Sequence, residues 1–391
     1  MKKKNAKKVL ALMIAALMAS ASFVGCSSDT SSSASSDDSS SSSDASTSAE
    51  SKTAKLMAAA EGAVGNWGLG NEYEIQALLQ KYGYDTSYIS QAFDMDGFDT
   101  DEILLASAMT YNELGLVKNS YDGGYNYGDS VSVIDMNEEG VAMLEDMLFC
   151  TKDFAENNPE TVKAFLYASM KGWAYACANT EEAAEICYKY GSSVSPDHQA
   201  YMAEESAKLV STDMSGNPVD SSAYGSIDEN AVQQTLDLCK KYMVLDDSTA
   251  ADKLKNMTTE DVYNDTFITD VIEFLNSNET PSFKPEKKEV SIQLKWLPDA
   301  QFMGYYVALD KGYYKEVGLD VKDSSIVPGG GDVGETTAVS NGTVDFGVTW
   351  VSNLISANAS GMNLVEVAQV FQRSGLVLVY KNEWAESNGI N

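Results

Sequence analysis

Two hydrophobic rhythms alternate from about residue 56 to the end of the chain. Short, nearly continuous apolar runs at 63–67, 103–109 and 131–136 read as buried strands. Between the first two, Ile75, Leu78 and Leu79 share one helical face, which predicts a helix over 72–82 stopped by Gly83. Another helix is expected at 137–147. Asn158-Pro159 opens a long one, with Asn at the cap and Pro in the first turn, and Asn179-Thr180-Glu181-Glu182 has the form of a capping box for the next. Helical spacing returns at 231–242 and 261–275. Residues 279–289, with Pro281, Pro285 and three lysines, interrupt the pattern and read as a linker. After it come a strand (290–295), a helix (302–311), a strand (319–327), a helix (335–340), a strand (344–349) and two further strands at 363–369 and 375–380. This alternation predicts an α/β fold.

The first 25 residues follow neither rhythm. Lys2, Lys3, Lys4, Lys7 and Lys8 precede an apolar run from Val9 to Met18 and then small residues, the layout of a secretory signal peptide. The run is too short to cross about 30 Å of hydrocarbon. Its end, Phe23-Val24-Gly25-Cys26, resembles the bacterial lipobox, with Phe23 where Leu is usual, so Cys26 is expected to carry lipid. Residues 26–55 are mostly Ser, Asp and Ala and cannot build a core, which makes them a tether. The expected plan is a signal peptide at 1–25, an anchor and tether at 26–55, a folded part at 56–278, the linker at 279–289 and a second folded part at 290–391.

Charge and residue usage narrow the function. The 391 residues include 58 acidic and 27 basic side chains, a net charge of −31. Such a chain repels phosphate backbones, so nucleic acid is excluded as a partner. There is one histidine, His198, in the polar stretch Pro196-Asp197-His198, where exposure is expected. Catalytic triads and His-based zinc sites have almost nothing to build on. Cys150, Cys177, Cys187 and Cys239 lie in apolar-periodic stretches without CxxC spacing, which points to buried free thiols; a Cys177–Cys187 disulfide is the alternative. Asp94, Asp96, Asp99 and Asp101 do not have the spacing of a calcium loop. No cofactor is expected.

The aromatic residues are placed suggestively. Trp67, Trp296, Trp350 and Tyr111 each follow a predicted strand, and ligands of open α/β sheets bind beyond the carboxyl ends of strands. The alternative for these four is core packing at the sheet edge. Trp173, in mid-helix, reads as core. Gly329-Gly330-Gly331 leads into a helix and is either an anion-facing loop or a simple turn.

At 293–321 (QLKWLPDAQFMGYYVALDKGYYKEVGLDV), 344–350 (VDFGVTW) and 368–379 (AQVFQRSGLVLV), the chain resembles the N-terminal half of ABC-importer substrate-binding proteins of the thiamine-precursor, riboflavin and sulfonate type, a family that also includes thiamine-pyrimidine synthases. Residues 64–83, 107–117 and the helix opened by Asn158-Pro159 resemble the half that normally follows. The resemblance therefore implies a type II, two-lobed periplasmic-binding-protein fold with a hinge, in circularly permuted order. It puts 56–150 mostly in lobe 2, and 151–278 and 290–391 mostly in lobe 1. It implies ligand contacts from Trp296, Gln301, Tyr305, Gly329, Gly330, Trp350 and Asn353 on one side, and from Trp67, Gly68, Glu72, Tyr111, Asn112 and Glu113 on the other. It further implies a monomer, lipid-anchored on the extracytoplasmic face of the cell membrane, that binds a small solute and delivers it to an ABC transporter permease. A thiamine-related aminopyrimidine is the expected ligand, stacked on the aromatics and hydrogen-bonded by Glu113 and Asn112. Riboflavin or an alkanesulfonate ranks behind it, since Arg373 is the only arginine to meet an anion. The rival is an enzyme on the same fold, a pyrimidine synthase or a secreted hydrolase. The synthase branch needs a histidine near the first lobe and a cysteine-rich motif, and residues 290–391 contain neither His nor Cys.

Overall fold

A computed structural model describes residues 51–277 and 282–391. The stretches expected to be a signal peptide and a tether, with Cys26 between them, lie outside the described residues up to residue 50. The described chain forms two five-stranded mixed sheets flanked by helices, the two-lobed α/β fold expected.

The strands, in chain order, are β1 (Val64–Asn66), β2 (Ile89–Ser90), β3 (Leu105–Met109), β4 (Val131–Asp135), β5 (Met147–Thr151), β6 (Ile292–Gln293), β7 (Ile326–Val327), β8 (Phe346–Thr349), β9 (Leu364–Gln369) and β10 (Leu376–Lys381). One sheet has the order β7-β6-β8-β5-β9 and marks lobe 1; the other has the order β2-β1-β3-β10-β4 and marks lobe 2. Each borrows one strand from the other part of the chain. β5 runs antiparallel between β8 and β9, and β10 runs antiparallel between β3 and β4. The chain thus passes between sheets twice, through 136–146 and through 370–375.

The crossovers are tied to each other. The Glu145 carboxylate accepts from the Ser374 hydroxyl (3.2 Å) and the Gly375 N–H (2.9 Å). Asn137 donates to the Ser374 carbonyl and accepts from its N–H, at 2.9 and 3.2 Å. Gln369 donates to the Glu145 carbonyl. Because both buried segments are irregular, side chains must supply the hydrogen bonds that a ladder would otherwise give.

The largest helical contact joins the helices Pro159–Ala178 and Met303–Asp310 of lobe 1. Two glycines permit it. A Cβ on Gly172 would lie 2.1 Å from the Gly304 carbonyl oxygen, and one on Gly304 would lie 2.2 Å from the Trp173 ring. Trp173 is core, as expected, at 1% exposure.

Several expectations are corrected. Residues 137–147 form no helix: Val141, Ala142, Met143 and Leu144 are buried in an irregular crossover between lobes, and β5 begins at Met147. The strand expected at 319–327 shrinks to Ile326–Val327 behind a 3-10 turn. The capping box at Asn179 does not close. Asn179 donates to the Tyr175 carbonyl, while Glu182 is drawn to Tyr175 and Lys311. A helix begins at Lys52, inside the stretch read as tether, because Leu56, Met57 and Ala60 pack into the core. His198 is buried rather than exposed, on a helix, Pro196–Val210, that the sequence did not announce. The described part of the linker, 282–289, is mostly exposed but docked: Phe283 packs on Tyr167 and Phe274, and Glu286 accepts from the N–H groups of Glu160 and Thr161. The four cysteines within the described residues are free, three of them buried.

Candidate functional site

The two sheets point their strand ends at one seam. After β1 the chain turns at Gly68 and Leu69, both at positive φ, and leaves Trp67 and Leu69 facing it. After β3, Tyr111, Asn112 and Glu113 follow in succession. After β6 come Lys295 and Trp296, and directly after β8 comes Trp350. These side chains enclose a cavity completed by Phe93 and Met109 from lobe 2 and Gln301 from lobe 1. Its free volume is about 40 Å³. Phe93, itself exposed, meets Trp296 edge to face across the seam, with centroids 5.1 Å apart. An open groove of about 390 Å³ continues on the lobe 1 side, past Lys295 and Trp296 to Gly330 and Asn353.

Of the sequence-predicted residues, Trp67, Tyr111, Asn112, Glu113, Trp296, Gln301 and Trp350 come together around the cavity, and Gly330 and Asn353 line the groove. Four do not line either space, each for a structural reason. Gly68 turns the chain at φ +81°, its N–H bound to Asn66 Oδ1 at 2.7 Å. The Glu72 carboxylate folds back onto the Gly70 N–H at 2.7 Å. Gly329 gives its N–H to the Trp296 carbonyl and packs so closely that a Cβ would lie 2.2 Å from the Leu294 oxygen. Tyr305 is fully buried, edge to face on Trp173. Leu69, Phe93, Met109 and Lys295 were missed. For Lys295 the signal was available, since it stands beside Trp296 at a strand end; Phe93, in an Asp-rich loop, gave none.

The cavity mixes aromatic faces with buried charge. Lys295 Nζ pairs with Glu335 at 3.0 Å and sits 4.7 Å above the Trp350 ring. Desolvated cation–π contacts of this kind contribute about 2 kcal/mol. Glu113 is 7% exposed, and burial pushes its carboxyl up to about 7 against the pull of the backbone N–H groups of Met109 and Glu113. Behind Trp350, burial also raises Asp146 to about 7, opposed by Gln301, which donates to it at 2.6 Å, and by Lys295. The Trp350 side chain adds a further pull on the Asp146 carboxyl, although its Nε1 lies outside strict hydrogen-bond geometry. Arg373 is engaged elsewhere, with Asp135 at 3.0 Å. Among the described residues no cluster of His, Cys, Asp and Glu is arranged to hold a metal ion, and no helix is long and apolar enough to cross a membrane.

Such a site can sandwich a flat ring and hydrogen-bond its polar edge. A cavity of about 150 Å³ admits a benzene, so ring entry requires Phe93 and Leu69 to swing or the lobes to part.

The family described as NMT1/THI5-like matches residues 45–183 and 299–387, more than half of the chain. Comparison with curated proteins and with solved structures gave no match. The chain belongs to the NMT1/THI5-like family, whose members are mainly substrate-binding proteins.

Proposed function

We propose that this protein captures a thiamine-related aminopyrimidine and delivers it to the permease of an ABC importer, held on the extracytoplasmic face of the cell membrane by lipid on Cys26. The observation that carries the reading is the convergence of Trp67 and Tyr111 from one lobe, and Trp296 and Trp350 from the other, on one cavity edged by Glu113 and Asn112. Stacking a base-like ring on an aromatic side chain contributes about 1–3 kcal/mol. Glu113 supplies a charge-assisted acceptor for an amino group. Family membership supports a small-molecule ligand and a transporter partner. No His or Cys lines the cavity, which favours binding over the histidine- and cysteine-dependent synthase chemistry found in the same family.

The strand order supports a second element of the reading, a circularly permuted chain. The part after the linker provides four strands of the lobe 1 sheet and one of lobe 2. The part before it provides four of lobe 2 and one of lobe 1. The first helix of the described chain reaches the last strand of lobe 2: Lys52 Nζ lies 5.8 Å from the ring centre of Tyr380, on β10, directly before the last helix.

A thermal-shift and calorimetric screen tests the binding reading, using the hydroxymethyl-aminopyrimidine precursor of thiamine, thiamine, riboflavin and alkanesulfonates. A ligand at 100 times its dissociation constant adds about 2.7 kcal/mol of stability. The pyrimidine should raise the melting temperature and quench tryptophan fluorescence, and Ala substitution of Trp67, Trp296 or Trp350 should weaken it. Binding by none of the probes, or turnover of one, overturns the proposal. The anchor is tested apart: Cys26→Ser should release the protein from the membrane fraction, where an intact anchor would keep it.

A further inference from the structure

The only histidine of the chain lies at the back of the cavity. His198 is 0% exposed, near the start of the helix Pro196–Val210, where Ser195 caps its N–H. That helix rests on the lobe 1 helices, yet its side chains reach the loop after β3 in lobe 2. His198 Nε2 is 2.8 Å from Asn112 Oδ1, and Nδ1 is 2.6 Å from the Tyr121 hydroxyl. The Asn112 amide nitrogen in turn donates to Glu113 Oε1 at 3.0 Å, and Glu113 Oε2 accepts the Met109 N–H at 2.9 Å.

With Glu113 ionised, these contacts leave one proton arrangement. A carboxylate only accepts, so the Asn112 nitrogen faces Glu113 and the Asn112 oxygen faces the ring. The oxygen also only accepts, so Nε2 carries the hydrogen. Nδ1 of a neutral ring then accepts from Tyr121. Burial lowers the imidazole to about 4, so the ring is neutral at pH 7. Tyr201, on the same helix, lies parallel to the ring at 6.0 Å and donates to the Thr110 carbonyl at 2.7 Å, holding the other end of the loop. Every hydrogen bond from Tyr121 through His198 and Asn112 points toward Glu113.

We propose that His198 is a positioning residue of the binding site, donating through Nε2 to Asn112 so that the Asn112 amide holds the Glu113 carboxylate in place for the amino group of the ligand. This rests on the binding reading above, and it accounts for a buried histidine that touches no ligand. Other titratable groups that feel Glu113 are Tyr111, Tyr201 and Asp299, with Asp197 beside Tyr121; none of them interrupts the chain.

The test needs a readout that mere packing would not move. In ligand-free full-length protein, the Glu113 carboxyl is titrated by carbon NMR, with Glu113→Gln identifying its signal. His198→Leu removes the donor that fixes the Asn112 amide, so the amide is free to turn from Glu113; the carboxylate then loses a bond that favours its charged form, and its midpoint should rise by about one pH unit. His198→Gln carries an amide N–H at nearly the Nε2 position and should keep the wild-type midpoint. Affinity for the hydroxymethyl-aminopyrimidine should fall about tenfold in His198→Leu, near the effect of one lost hydrogen bond to a charged group, and less than twofold in His198→Gln. An unmoved Glu113 midpoint in a folded His198→Leu protein, or equal damage in His198→Gln, overturns the proposal. If His198→Leu does not fold, Asn112→Ala breaks the same link, and an unmoved midpoint there overturns it equally. Should the wild type not bind the pyrimidine, the functional reading fails while the titration still decides the positioning role.

Discussion

Glu366 offers the sharpest test of the energetics. It sits in the middle of β9 at 0% exposure, and neither carboxyl oxygen has a hydrogen-bond partner. Its backbone is fully engaged, with N–H to Val262 and carbonyl from Asn264. Burial alone pushes its carboxyl from 4.5 up to about 8. The folded state therefore binds a proton that the unfolded state releases between pH 4.5 and 8. A carboxyl raised on folding contributes stability that is present below pH 4.5 and is lost as pH rises toward 8. One pH unit corresponds to about 1.4 kcal/mol, so the full effect is about 5 kcal/mol. Glu366→Gln keeps shape and polarity but cannot ionise. The variant should be near the wild type at pH 5, and its advantage should grow by about 3–4 kcal/mol by pH 8. Urea melts of both proteins at pH 5, 6, 7 and 8 measure that gap directly. Glu74, Glu113 and Asp146, also raised by burial, slope the same way, and His198, lowered to about 4, slopes the opposite way between pH 4 and 6.5. All of these are common to both proteins and cancel in the difference. A gap that stays flat from pH 5 to 8 would mean that Glu366 is ionised and satisfied in the folded protein, and the reasoning would fail.

Three further outcomes are expected. In Gly70→Ala, at φ +113°, the new Cβ would lie 2.2 Å from Asn353 Oδ1 across the seam; closure should suffer and pyrimidine affinity drop about tenfold, and the small-angle scattering radius should increase, whereas affinity within twofold of wild type would refute the clash. Gly172→Ala should cost about 1–3 kcal/mol, because the Gly304 backbone cannot retreat from the new methyl; an unchanged melting temperature would show that the two helices slide apart freely. A chain reopened between Ser277 and Ser282, with Asn391 joined to Ser51 by a short Gly-Ser linker, should keep the fold and stay within about 1–2 kcal/mol, since loop closure varies only slowly with length; separation into two parts that neither associate nor bind the pyrimidine together would refute the permuted reading.

The α/β class and most element positions were legible because strands here are apolar runs and helices carry a clear face. What escaped depends on partners far away in sequence. Asn158-Pro159 does start a helix, but the Asn158 side chain bonds back to the Phe154 carbonyl, and the first N–H groups are met by Glu286 from the linker, more than a hundred residues on. Residues 141–144 have the composition of a buried helix and are buried as an irregular crossover instead. Pro196-Asp197-His198 looked like surface, yet His198 is at 0% exposure because Asn112 and Tyr121 satisfy its ring, and the neighbouring Gln199 is equally buried, accepting the Ala300 N–H. The strand-end rule found the site's aromatics. It did not find Phe93 or Leu69, whose placement comes from loops.

The arrangement of the two crossovers explains why ligand binding and lobe position are one problem. The seam between lobes is held by Glu145, which accepts from both Ser374 and Gly375, by the Ser352 hydroxyl on the Gly70 carbonyl at 2.7 Å and Phe93 on Trp296, and by His198 and Tyr201 on the loop after β3. The aromatic cavity lies at this seam, so a ring that fills it buries Trp67 and Tyr111 from one lobe against Trp296 and Trp350 from the other. Apolar burial of about 25 cal/mol per Å² then acts directly on closure. The Glu145 contacts are made on irregular backbone and do not require any particular order of the chain pieces. They require only that 136–146 and 370–375 lie side by side, which the exchange of β5 and β10 between the sheets enforces. Cutting the chain elsewhere leaves that pairing untouched, whereas Glu145→Ala would strand the Ser374 and Gly375 donors where the two crossovers meet.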